Sequence, residues 1–233
     1  MGAAPELRRG TLQVQSVRYG GSDEAMVRMV RSVAAESRTL FQGGETSGVT
    51  LVLGDCGGPQ GPDDCLPPEA RADLAGVLAH AFAEAGAGAV DGPETGTGVR
   101  FDYVAFGANL GHGPGQNRLA ARAAGSAAPE PPGVLVFLNP DTYLVPSCLH
   151  RLLEALAGES VGIAEARQIP LEHPKPFDAA TGDTPWASGC AMAVRADLFN
   201  SLDGFEESLF LQGDDVDLCW RARMSGWRVV HVP

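Results

Sequence analysis

A chain of 233 residues with 44% hydrophobic and 20% charged residues has a globular composition, and it is long enough to bury one sizeable core. Seventeen basic residues against 29 acidic ones give a net charge of −12, which excludes a general nucleic-acid binder, because phosphate contacts need clustered Lys and Arg. Lys175 is the sole lysine. The stretch Met1–Glu6 lacks the apolar segment of a signal peptide, and Glu6 stands where a myristoylation signal needs Ser or Thr. No apolar run approaches the roughly 18 residues that span a bilayer. Cysteines 56, 65, 148, 190 and 219 form no CxxC pair, and their odd number suits a reducing compartment. Cys56 and Cys65 share one loop, but that compartment disfavours their pairing. The expectation is a cytoplasmic chain with no transmembrane segment.

In chain order, Leu12–Val17, Val49–Leu53, Phe101–Phe106 and Val134–Leu138 read as buried parallel strands. Helical patterns separate them. Ser22-Asp23 caps a helix carrying Met26, Val30 and Val33 on its apolar face. Residues 67–85 place Leu74, Val77, Leu78, Ala81 and Phe82 on one stripe, opening with Pro67-Pro68. Gln116–Ala124 is an Ala-rich helix, and Pro146–Ala157 puts Leu149, Leu152, Leu153 and Leu156 at i, i+3, i+4, i+7 before Gly158. Beyond it, Val161–Ile169 predicts a strand, 170–185 a Pro/Gly-rich loop, Ala187–Val194 a strand, and Arg195–Asn200 a short helix. Asp214–Ser225 predicts a helix with Gly226 as its left-handed cap, and Trp227–Val232 a last strand. Stretches 54–68 and 86–99 read as surface loops. The alternation predicts an α/β fold, a doubly wound mostly parallel sheet with ligands at the strands' carboxyl ends. No linker divides the chain, so residues 1–233 form one domain, in two halves at about 10–142 and about 143–233.

Several acids stand where this architecture puts ligands. Asp141 follows a buried strand directly, although Asn139-Pro140-Asp141-Thr142 is also good Asx-turn chemistry. Asp214 and Asp215 open a helix, where the macrodipole alone favours carboxylates by about 0.3–1 kcal/mol each. Together with Asp217 they also concentrate charge in the manner of a general-base site. Asp217 has a structural role of its own, i, i+4 from Arg221.

These residues lie in a series of motifs. Asn109-Leu110-Gly111-His112-Gly113-Pro114-Gly115-Gln116-Asn117 resembles the N-x-G-(aromatic)-(G/A)-x-G-x-N stretch of family 2 glycosyltransferases. Phe137-Leu138-Asn139-Pro140-Asp141-Thr142 resembles their form of the D-x-D motif. Ser188-Gly189-Cys190-Ala191-Met192 and Gly204-Phe205-Glu206-Glu207-Ser208-Leu209-Phe210 follow in the family's order. The run closes on Gly213-Asp214-Asp215-Val216-Asp217-Leu218-Cys219-Trp220-Arg221 and Gly226-Trp227-Arg228-Val229-Val230-His231-Val232-Pro233, similar to the rhamnosyltransferase-like signature. The resemblance covers roughly residues 12–233. It departs at Arg18-Tyr19-Gly20, where relatives carry Thr-Tyr-Asn, at Asp55-Cys56-Gly57-Gly58, and in having Asp-Asp for Glu-Asp.

The resemblance implies a GT-A fold and an inverting transfer of a hexose or deoxyhexose, rhamnose among them. The donor is a nucleoside-diphosphate sugar with a dTDP- or UDP- carrier. The acceptor is a hydroxyl on a polysaccharide, glycolipid or natural product, compatible with peripheral membrane contact. It assigns Asp215 as the base and Asp214 to orient the acceptor. Asp141 and Asn139 face the diphosphate, with a divalent metal (Mn²⁺ or Mg²⁺) held by Asp141 and His231. His231 is also an ordinary interfacial side chain at the end of a strand. Tyr19 covers the base, Asp55 accepts from a pyrimidine N–H unless it is only a turn residue, and Asn109, Gly111 and Asn117 shape the loop close to the nucleotide. His112 replaces the family's aromatic. Trp186, Ser188 and Gly189 floor the sugar or acceptor pocket, unless Trp186 is core. The rival expectations are a degenerate GT-A domain that binds without turnover and a nucleotidyltransferase. The latter calls for a basic Gly-rich loop after the first strand, and no Lys or Arg follows Tyr19 before Arg28.

Overall fold

The computed structural model describes residues 10–57, 68–85, 98–124 and 131–233. Cys65, most of the two Gly/Pro-rich loops and the N-terminal stretch lie outside them. Strands β1 (Thr11–Arg18), β2 (Gly48–Asp55), β3 (Gly98–Ala105) and β4 (Val134–Leu138) alternate with helices α1 (Asp23–Gln42), α2 (Pro68–Glu84) and α3 (His112–Ala124). Helix α4 (Cys148–Leu156) and strand β5 (Val161–Ala166) follow, then β6 (Ala191–Arg195), α5 (Ala196–Ser201), α6 (Asp214–Met224) and β7 (Arg228–Val232). The seven strands form one sheet in the order β3-β2-β1-β4-β6-β5-β7. All neighbouring pairs are parallel except those of β6, which runs antiparallel to both β4 and β5. A helical crossover returns a chain parallel; residues 167–190 form no helix between β5 and β6, and the chain comes back reversed.

Alternation along β4 assigns the two faces of the sheet. Val134, Val136 and Leu138 pack with Met26, Met29, Val33, Leu149 and Leu153 from α1 and α4. Leu135 and Phe137 point the other way, to Ile163, Met192, Phe199, Phe205 and Leu218. Phe137, Phe199 and Phe205 form a triangle with ring centroids 4.9–5.4 Å apart. Burial of each such ring contributes roughly 2–3 kcal/mol, which ties the loop after α5 to the sheet.

Element types match the sequence reading; boundaries differ for local reasons. Helix α3 starts at His112 rather than Gln116, because Pro114 falls in its first turn, where a missing N–H costs nothing. Strand β5 ends at Ala166, three residues early, and β6 begins only at Ala191. The Trp186–Cys190 stretch is thereby left as a loop, with consequences for the acidic pair. Ser22 caps α1 by accepting from the Ala25 N–H, and Gly226 takes a left-handed φ of 89°.

Candidate active site

A cleft of about 440 Å³ opens at the carboxyl ends of β1 and β4, where an open α/β sheet places its ligands. Tyr19, Asn109, Gly111, His112, Asn139 and Asp141 all line it. The glycine at 111 is required: its φ is +83°, and a Cβ there would lie 2.3 Å from the Phe210 carbonyl oxygen. Asn109 holds the turn by accepting from the Gly111 N–H at 3.1 Å.

Asp141 is exposed at the cleft's edge, and the chain around it is fixed from both sides. The Asn139 N–H donates to Cys190 O at 3.0 Å, and the Asn139 carbonyl accepts from Thr142 N–H at 3.1 Å. From α1, the Ser32 hydroxyl accepts from Leu144 N–H at 2.9 Å. The buried Glu36 carboxylate accepts from Ser147 N–H at 2.9 Å and from Leu149 N–H at 3.1 Å. The start of α4 is thus capped by an acid from another helix, since Ser147, at φ 71°, makes no side-chain cap. Burial pushes the Cys190 thiol above its ordinary range, and the charges of Asp141, Glu165 and Glu172 add to the effect.

The acidic pair sits beside this cleft. Asp214 is buried, and its Oδ2 lies 2.6 Å from His112 Nδ1. Asp215 is partly exposed; its Oδ2 accepts from Gly189 N–H at 2.9 Å and its Oδ1 from Val216 N–H at 2.8 Å. The space a Cβ at Gly189 would fill is 3.5 Å from both Asp215 Cβ and His112 Cε1. His112 therefore joins the Asp141 cleft to the acidic pair, a link that its position in the glycine-rich motif does not reveal. Asp217 accepts from Arg221 at 2.7 Å, the i, i+4 pair expected of it.

Other expected site residues are placed elsewhere. Asp55 is buried, accepting from Gly57 N–H at 2.8 Å and from the Tyr103 hydroxyl, with Arg18 Nε 3.8 Å away. Cys56 lines the cleft in its stead, with its thiol pushed up chiefly by burial. Asn117 does not line the cleft; its amide donates to Phe205 O and accepts from Phe205 N–H, both at 2.9 Å. It clasps α3 to the backbone of the loop after α5. Arg18, which the sequence marks only as a departure from the family motif, lines the cleft with its guanidinium donating to Gly20 O at 3.1 Å.

His231 lines a different cleft from the one that holds Asn139 and Asp141, alongside Arg228 and Val232. The register sets it opposite Glu165 on β5, and its Nδ1 lies 3.0 Å from Glu165 Oε1. Glu165, Glu172 and His231 bring one ligand atom each to within 4.8 Å of one another, a spacing that suits a cation. The Lys175 ammonium already ion-pairs with Glu165, so the buried negative charge has an internal partner. Ser188 and Trp186 turn toward this cluster as well. Ser188 N–H donates to Glu165 at 2.5 Å, and Lys175 Nζ stands 4.1 Å over the Trp186 ring. Of the three expected floor residues, only Gly189 contacts the acidic pair.

Comparison with solved structures decides the fold. A mannosyltransferase from Pyrobaculum calidifontis, solved with GDP-Man and Mn²⁺, superposes with a TM-score of 0.64 at 15% identity, covering 99% of this chain and 57% of that one. This is a GT-A glycosyltransferase fold, rhamnosyltransferase-like in sequence. GalNAc-T7, solved with UDP, GalNAc and Mn²⁺, gives 0.63 at 11% identity over 96% of this chain and 42% of that one. In sequence, the N-acetylglucosaminyl-diphospho-decaprenol L-rhamnosyltransferase of Mycobacterium tuberculosis is 27% identical over 192 residues, covering 63% of this chain and 62% of the relative. Rhamnosyltransferase WbbL of Escherichia coli K12 is 35% identical over 60 residues, 25% of this chain and 23% of the relative. The chain thus spans less than two thirds of these relatives' length. No family model matches. Among the described residues, no helix is long and apolar enough to cross a membrane.

Proposed function

We propose that this GT-A domain transfers a sugar from a nucleoside-diphosphate donor to a hydroxyl acceptor with inversion. One observation carries the reading: His112 lines the cleft that holds Asn139 and Asp141 and also contacts Asp214, so the carboxylate suited to a diphosphate and the acid pair border one space. Asp215 acts as the base that takes the acceptor proton, while Asp214 orients. The hydroxyl then attacks the anomeric carbon from the side opposite the departing diphosphate, and no covalent enzyme intermediate is required. Tyr19 offers its ring face to the base of the donor, which is taken to be dTDP- or UDP-linked.

The donor set at Asp141 suits a divalent cation of the Mn²⁺ or Mg²⁺ type. Such an ion often takes one or two carboxylates from protein and the rest of its ligands from phosphate and water, and Asn139 adds an amide oxygen nearby. When bound, the ion neutralises charge on the leaving diphosphate. The rhamnosyltransferase relatives favour a deoxyhexose donor and an envelope-polysaccharide product. A lipid diphosphate acceptor of the kind named for the mycobacterial relative would bring this chain to the inner membrane surface as a peripheral protein of the cytoplasm.

The test is a transfer assay with Mn²⁺ across a panel of nucleotide sugars. Asp215→Asn should lower kcat by roughly 10²–10⁴, the worth of a general base, while nucleotide binding persists. Asp141→Ala should abolish the metal-dependent part of nucleoside-diphosphate binding. Wild-type transfer by the double variant would overturn the mechanism. A second reading, binding without turnover, is favoured by the commitment of Asp55 to Gly57 and Tyr103. Metal-dependent nucleotide binding with no transfer to any acceptor would support it.

A further inference from the structure

Two glutamines on the central strand β1, Gln13 and Gln15, are buried, and their hydrogen bonds run in one direction. The Gln13 side-chain NH₂ donates to Leu119 O at 3.1 Å and to Gln15 Oε1 at 2.7 Å. The Gln15 NH₂ donates to Gln116 O and to Gln116 Oε1, both at 2.9 Å. A backbone carbonyl can only accept, so Leu119 O and Gln116 O fix which end of each amide is nitrogen. With Gln116 Oε1 accepting, the Gln116 NH₂ faces His112 Nε2 at 3.3 Å. That nitrogen must then be the unprotonated one, and the proton of the neutral ring sits on Nδ1, aimed at Asp214 Oδ2 2.6 Å away.

We infer that this relay, Gln13–Gln15–Gln116–His112, makes His112 the positioning residue of the acid pair. The relay fixes the Nδ1–H tautomer of His112, and the tautomer holds the buried Asp214 as an acceptor beside Asp215. An aromatic at position 112 would fill the space and pack on Phe205, as the His112 ring does at 5.8 Å, but it would leave the Asp214 oxygen without its donor. The tautomer claim stands on the hydrogen bonds alone; the catalytic consequence rests on the transfer reaction proposed above.

Two arms separate these claims. In the first, ¹⁵N spectra of the histidine-labelled full chain read the protonation of each ring nitrogen at neutral pH. His112 should carry its proton on Nδ1, the less favoured tautomer of free histidine. Gln116→Glu, which offers acceptors instead of a donor, should move a proton onto Nε2. Observation of Nε2–H in the wild-type chain, or an unchanged ring in Gln116→Glu with the fold intact by circular dichroism, overturns the relay.

The second arm is kinetic. His112→Phe should lower kcat on the order of tenfold to a hundredfold, the worth of one hydrogen bond to a charged group, with KM for the donor nearly constant. His112→Asn, whose amide can reproduce an Nδ1-like donor, should recover most of that loss. Equal losses in Phe and Asn variants overturn the positioning role even where the tautomer is confirmed. A wild-type chain that binds nucleotide but transfers nothing refutes the transfer reading and, with it, the catalytic half of this inference, leaving the tautomer to stand or fall on the first arm.

Discussion

Glu36 has no place in the chemistry, yet it holds the segment that carries Asp141. Its two oxygens accept from Ser147 and Leu149 N–H groups at the start of α4, which have no intrahelical partner. Hydrogen bonds to a charged acceptor contribute about 1.5–3 kcal/mol each, and an orphaned buried N–H costs about 1–3 kcal/mol. Part of this is offset, because Glu36→Ala also ends the desolvation of a buried carboxylate. A net loss of about 3 kcal/mol follows, or roughly 6–12 °C in melting temperature for a domain of this size. Glu36→Gln keeps one acceptor oxygen and turns an NH₂ toward the other N–H, so it should fall between Ala and wild type. Urea unfolding of the three chains at neutral pH measures both losses directly. A cost below about 1 kcal/mol for Glu36→Ala would refute the cross-helix cap.

Two further predictions rest on equally local geometry. Gly111→Ala forces a Cβ onto the Phe210 carbonyl at a φ of +83°; it should cost at least about 2 kcal/mol and weaken nucleotide binding, read by thermal shift with and without nucleoside diphosphate. Burial pushes the Cys219 thiol up to about 12 and the Cys148 thiol up to about 11, the latter helped by the Glu36 charge. Both folded values lie above the ordinary value of 9.0, so this stability is intact below pH 9 and drains between 9 and 11–12 as the unfolded chain ionises. The slope is roughly 1.4 kcal/mol per pH unit per thiol. Cys219→Ala should flatten the alkaline limb of a urea-midpoint-against-pH curve by about one proton, and an unchanged limb would count against it.

The sheet was legible because its strands are short, mostly apolar runs and its helices keep strict apolar spacing, as at Leu149, Leu152, Leu153 and Leu156. Asp141, Asp214 and Tyr19 could be located because each sits next to an element end that the pattern marks. What sequence could not carry was the direction of a side chain within its loop. Asn117 lies in the glycine-rich motif, yet one turn of α3 rotates it onto the Phe205 backbone. Asp55 ends its strand as expected, but Tyr103 from the paired register of β3 captures it. His231 shows the same limit: strand alternation turns it to Glu165, and only the sheet order puts β5 beside β7. The buried polar residues Gln13, Gln15 and Glu36 gave a faint signal, being polar positions inside otherwise apolar runs, but their partners lie about a hundred residues away.

Those long-range partners explain how a site built largely on loops is held for chemistry that tolerates little displacement. Each candidate acid is fixed by a different element from the one that carries it. The Asp141 segment hangs from β4 and is pinned by α1 through Ser32 and Glu36. Asp214 opens α6 and is met by α3 through His112. Asp215 receives an N–H from Gly189, in the loop that ends where β6 begins. None of these contacts is a sequence neighbour of its acid, so a shift of α1, α3 or β6 against the sheet moves one acid relative to the others. The aromatic triangle of Phe137, Phe199 and Phe205 resists that shift on one face, and the α1–α4 packing resists it on the other. Core substitutions on either face should therefore perturb the site's geometry, and with it turnover, before they unfold the domain.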